Sequence, residues 1–111
     1  PIGALAVHFH DTRGTAVVNA YAAWQAGVRQ FDGSLGGIGG CPYAPGATGN
    51  ASTEDLVYTF QEMGLDTGID LGDACDAAVA MEHVLGRTLP GRYLQYHKSR
   101  CAAAGAAAQS A

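Results

Sequence analysis

The sequence predicts an α/β fold in which short parallel strands alternate with helices. Three observations predict it. Leu5 to His10 is a short run rich in strand formers; Ala16, Val17, Ala20, Tyr21 and Trp24 recur at helical spacing; Val28 to Leu35 restarts as a strand. Strand, helix, strand is a βαβ unit with a right-handed crossover. Both strands then end at one edge of the sheet, where active sites of open α/β sheets and of barrels lie.

The first run is apolar without polar alternation on its apolar half, which fits a parallel strand buried on both faces. His8 and His10 close it. Two residues apart on a strand, they point to one side with Cα atoms about 6–7 Å apart. Two imidazoles at that spacing can converge on one metal ion. They also read as two polar residues ending a strand, hydrogen-bonded to backbone. Asp11-Thr12-Arg13-Gly14 breaks the strand, and Thr12 is the expected helix N-cap. Tyr21 and Trp24 read as core contacts against the sheet. Gly27 stops the helix.

The second strand leads into Gly36-Gly37-Ile38-Gly39-Gly40-Cys41-Pro42-Tyr43-Ala44-Pro45-Gly46-Ala47-Thr48-Gly49-Asn50. This stretch holds six of the sixteen glycines, a density that forbids a regular helix. A loop this long reads either as a surface linker or as a flap carrying a thiol to a reacting centre. Ser52-Thr53-Glu54-Asp55 is a capping box with Asp in place of the usual Glu. Leu56, Val57, Phe60 and Met63 form the stripe of that helix, and Gly64 ends it. A further helix is expected over about Leu71 to Leu85, with Ala74, Cys75, Ala78, Met81 and Leu85 inward and Gly86 as the stop. Residues 1–100 read as one domain portion; the alanine-rich tail 101–111 has nothing large to bury, so disorder is expected from about residue 100.

Composition narrows the function classes. A net charge of −4 gives no general attraction to nucleic acid or anionic lipid, so neither partner is expected. Arg87, Arg92, Lys98 and Arg100 cluster late without acidic sequence neighbours, a solvated run or a phosphate contact. Three cysteines without metal-finger spacing fit a reducing, cytoplasmic setting. Pro1 to Val7 has no basic segment or long apolar stretch, and reads as neither signal peptide nor membrane span. The lack of an initiator Met is read as processing or truncation.

His8-Phe9-His10-Asp11-Thr12, then Ser34-Leu35-Gly36-Gly37-Ile38-Gly39-Gly40-Cys41-Pro42-Tyr43, then Gly49-Asn50 and Thr53-Glu54-Asp55-Leu56 resemble the C-terminal third of the 3-hydroxy-3-methylglutaryl-CoA lyases. The resemblance runs from about Ala4 to Leu89. Isopropylmalate and homocitrate synthases usually carry a glycine-glutamate-arginine segment where this chain has Gly40-Cys41-Pro42-Tyr43, which favours the lyases. The resemblance implies the C-terminal part of a TIM (β/α)8 barrel: its last two βα units plus a C-terminal helix. It implies that His8, His10 and Asn50 are ligands of a divalent cation, Mg²⁺ or Mn²⁺, and that Cys41 is the catalytic loop thiol. It implies cleavage of 3-hydroxy-3-methylglutaryl-CoA to acetyl-CoA and acetoacetate, with an acyl-CoA as substrate. A whole barrel takes about 250 residues, so the chain is expected to form a homo-oligomer or to pair with the missing barrel portion. A related metal-dependent aldolase on another acid, or a non-catalytic assembly piece, are the other readings.

Overall fold

The computed structural model describes residues 1–40 and 49–110. Its elements are β1 (Ala6–His8), α1 (Ala16–Gln25), β2 (Gln30–Asp32), α2 (Thr53–Glu62), α3 (Leu71–Leu85) and α4 (Arg92–Ser110), with short 3-10 turns at Ile2–Ala4 and Leu35–Gly37. No helix among the described residues is long and apolar enough to cross a membrane.

The βαβ unit is present: β1 and β2 are parallel, with Ala6 opposite Gln30, Val7 opposite Phe31 and His8 opposite Asp32. Both strands are shorter than expected because another segment takes over their ends. The Asp11 N–H donates to the Gly49 carbonyl (2.7 Å) and the Ala51 N–H to the Phe9 carbonyl (3.0 Å). The Ser34 N–H donates to Ala51 and the Thr53 N–H to Ser34. The chain after the glycine loop thus returns between the two strand ends and ties them together.

β1 is not buried on both faces. Ala6, His8 and His10 are exposed, while Val7 and Phe9 are partly buried. Among the described residues helices cover one side of this two-stranded sheet, so alternation decides burial. On the covered side Phe9 and Phe31 pack with Ala16, Ala20, Ala51, Leu56 and Phe60. The rings of Phe31 and Phe60 lie 4.8 Å apart. Ala16 and Ala20 are the buried residues of α1. Tyr21 is 42% exposed, contrary to expectation, and stacks on Trp24 at the surface.

The expected cap at Thr12 is displaced. The helix begins later, and Asp11 Oδ1 accepts from the Ala16 N–H at 3.0 Å. Ser52 does cap α2, its hydroxyl accepting from the Asp55 N–H. The other half of the box is turned outward: Asp55 accepts from the Arg92 and Tyr93 N–H groups, capping α4 across 37 and 38 residues. α3 has the expected bounds, because Asp70 accepts from the Asp73 N–H and Gly86 takes a left-handed φ of 68°. A second core joins Cys75, Ala78, Leu89 and Leu94.

One expectation about the C-terminal region is corrected. α4 runs on through residue 100 to Ser110 instead of losing structure there. Alanine has the highest helix propensity, so the tail prolongs a helix already nucleated and packed at Leu94. Its residues 101–107 are exposed. The basic run has no acidic neighbours in sequence but finds one in space: Lys98 Nζ donates to both carboxylate oxygens of Glu82 at 2.9 Å.

Candidate functional site

The period-two alternation that sends Phe9 into the core sends His8 and His10 to the opposite, open face. Their ring centroids lie 5.1 Å apart with planes at 73°. Strand register places Asp32 opposite His8, and its Oδ1 lies 2.5 Å from His8 Nδ1. A carboxylate accepts, so Nδ1–H donates, and in an unprotonated ring Nε2 is the nitrogen with a lone pair that could ligate a metal.

Asn50 reaches the same place by the returning segment, which bridges Asn50 to His10 in antiparallel fashion. Its Nδ2 donates to the Ile38 carbonyl at 2.9 Å. That bond consumes the nitrogen side of the amide and identifies Oδ1 as the atom that could ligate. The approach is close: a Cβ on Gly39 would meet Asn50 Nδ2 at 2.5 Å. The structure therefore brings His8, His10 and Asn50 to one edge. Cys41 lies outside the described residues.

With both rings unprotonated, the candidate donor set would be two imidazoles and an amide oxygen. Among the described residues no three His, Cys, Asp or Glu side chains have the spacing of a metal site. A soft or borderline ion suits such neutral donors; Mg²⁺ would need carboxylates from elsewhere. A polar cavity of about 390 Å³ adjoins Asn50, lined also by Asp11, Ser52, Asp55, Arg92 and Gln95.

Sequence reasoning assigned no role to two residues. Asp32 lies within the second predicted strand, and its pairing with His8 depends on strand register. Glu54 was read as part of a helix start, yet its side chain is fully buried. It accepts from the Gly36 N–H with both oxygens (2.8 and 3.1 Å) and from the Ser52 hydroxyl (2.8 Å). Burial pushes its carboxyl above the ordinary range, against the hydrogen bonds from Ser52 and Gly36. Cys75 is the buried, inert thiol expected: burial pushes it up to about 11.

The HMGL-like family matches residues 2–81. A hydroxymethylglutaryl-CoA lyase of Bacillus subtilis is 52% identical over 99 residues, covering 89% of this chain and 33% of the relative. An (R)-citramalyl-CoA lyase of Chloroflexus aurantiacus is 54% identical over 84 residues, covering 76% of this chain and 26% of the relative. The crystal structure of a Bacillus subtilis HMG-CoA lyase matches with a TM-score of 0.86 and 51% identity, over 88% of this chain and 33% of that one. The chain thus spans about a third or less of the curated relatives it matches.

Proposed function

The chain belongs to the HMGL-like family, and from that premise we propose that it supplies part of a carbon–carbon lyase acting on a branched 3-hydroxyacyl-CoA. In this reading β1 and β2 are the seventh and eighth strands of a (β/α)8 barrel. The observation that carries it is the His8–His10 ring pair at the strand end, with Asn50 bridged to His10.

His8, His10 and Asn50 would hold a divalent cation, Mg²⁺ or Mn²⁺, together with ligands from outside this chain. Such a cation would supply Lewis-acid polarisation of the substrate oxygens. Asp32 holds His8 in the tautomer that presents Nε2. In the cleavage the tertiary hydroxyl loses its proton to a base outside this chain. The bond between the carbinol carbon and the carbon beside the thioester breaks, and its electron pair passes to the thioester enolate. Cys41 is the proposed acid: its thiol gives a proton to the released carbon. A thiol with a pKa of about 8.5 can trade protons near neutrality. The products from 3-hydroxy-3-methylglutaryl-CoA are acetyl-CoA and acetoacetate.

The 54% identity to a citramalyl-CoA lyase favours a second reading, with the same bond cleavage on a shorter acid. Turnover of both thioesters by a chimera decides between them, with this chain replacing the matched third of the Bacillus subtilis relative. Cys41→Ser in that chimera should lower turnover by about 10²–10⁴-fold. Full turnover by the variant would sink the assignment of Cys41. The sheet edges left unpaired among the described residues support assembly with another chain. Light scattering that showed a compact 11.3 kDa monomer would reject the assembly.

A further inference from the structure

Glu54 occupies the second position of α2, where a carboxylate usually stays in solvent and still benefits from the helix dipole. Here it is folded inward with no exposed surface. Among the described residues no cation pairs with it. Burying a carboxylate without a cation is unfavourable unless its oxygens are hydrogen-bonded. The three bonds it accepts come from the two ends of the glycine loop: Gly36 at the entry and Ser52 just past the exit.

The entry is clamped from both sides. While the Gly36 N–H goes to Glu54, the Gly36 carbonyl accepts from the Gly91 N–H at 2.9 Å. The exit is held in turn by Ser34, which exchanges bonds with Ala51 and Thr53. Asn50 lies between these anchors, its amide reaching back to Ile38.

We propose that Glu54 is a positioning residue: through Gly36 and Ser52 it sets the distance between the two ends of the glycine loop, and so places Asn50 against the His8–His10 pair. This rests on the reading of His8, His10 and Asn50 as cation ligands. A carboxylate suits the role because it only accepts, and all its partners donate. Glu54→Gln keeps the volume but turns an amide N–H toward one of those donors.

The test uses the full 111-residue chain. Amide hydrogen exchange without metal compares Glu54→Gln with Cys75→Ser, which perturbs the second core, including its packing on Leu35 and Ile38, but breaks none of the hydrogen bonds at the loop ends. Glu54→Gln should speed exchange about 10–100-fold at residues 36–39 and 49–51 and leave α1 unchanged. A uniform rise across the chain would make Glu54 merely structural and overturn the proposal. Calorimetry with Zn²⁺ then reads the site: Glu54→Gln should weaken binding about 10–100-fold and Cys75→Ser should not. Equal affinity for Glu54→Gln and the parent chain would also overturn it. If His8→Ala leaves Zn²⁺ binding intact, the ligand reading fails on its own, and the exchange pattern still decides whether Glu54 places the loop ends.

Discussion

Replacing Gly36 by alanine should destabilise the chain by several kcal/mol. Gly36 adopts φ 62° and ψ 5° inside the 3-10 turn that opens the glycine loop. Left-handed backbone costs a residue with a Cβ about 1–2 kcal/mol. The added Cβ would also stand 2.5 Å from Leu89 Cδ1 and 2.8 Å from Leu89 Cβ. Leu89 has little room to retreat: it is 2% exposed, packs with Cys75, Ala78 and Leu94, and its N–H is held by Glu82 at 2.7 Å. Overpacking of that kind costs about 1–3 kcal/mol. Together the two effects come to about 2–5 kcal/mol, against a total of about 5–15 for a typical domain. Urea denaturation measures it as a lower midpoint at unchanged slope. Leu89→Ala removes Cδ1 but leaves Cβ, so the double variant should be less destabilised than the sum of the singles, by about 0.5–3 kcal/mol. Strict additivity, or a loss under about 1 kcal/mol for Gly36→Ala, would refute the account.

A buried and a partly buried carboxyl should pull the pH dependence of stability in opposite directions. Glu54 is raised by burial, so its share of stability is full below the unperturbed value of 4.5 and lost as pH rises through its folded value. In Glu82 desolvation is outweighed by bonds from the Leu89 N–H and Lys98, which hold it below the ordinary range. Its share is present above 4.5 and lost as pH falls. Denaturation midpoints against pH should lose the first trend in Glu54→Gln and the second in Glu82→Gln; an unaltered profile in either variant would reject its assignment. Asp32→Asn should weaken Zn²⁺ binding about 10–100-fold by calorimetry. Its unfolding midpoint should stay put, since the Asp32 side chain is 64% exposed; unchanged affinity would reject the tautomer role. Cys75→Ser should cost about 1–3 kcal/mol for a poorly paired hydroxyl, and rapid thiol labelling of native Cys75 would show that the site is not closed.

The parts legible in the sequence were those set by local chemistry. Asp70 and Gly86 bracket α3 because a cap and a left-handed stop act within one turn. Ser52 caps α2 for the same reason. What escaped depends on residues brought together from afar. Asp32 meets His8 across 24 positions, Glu54 meets Gly36 across 18, and Asp55 serves α4 instead of its own helix. The strands were read too long because nothing local announces that residues 49–53 will intercept their ends. The alanine tail was misread because its lack of large side chains outweighed, in that reading, the helix propensity that governs a segment already joined to a packed helix.

The strand that carries the histidines has a consequence for how the chain tolerates changes in length. Neighbouring positions from Val7 to His10 face the core and the proposed ligand site by turns. Inserting or deleting one residue there would shift every later side chain to the other face. A phenylalanine would then stand where an imidazole belongs, and an imidazole would press into the core beside Phe60. The connection between α2 and α3 is of another kind. It is secured by its own short side chains, Asp66 accepting from the Gly68 N–H and Thr67 from the Ile69 N–H. A length change there disturbs only local turns. Insertions and deletions in natural or selected variants should therefore collect at residues 64–70 and be missing from residues 6–10 and 30–34.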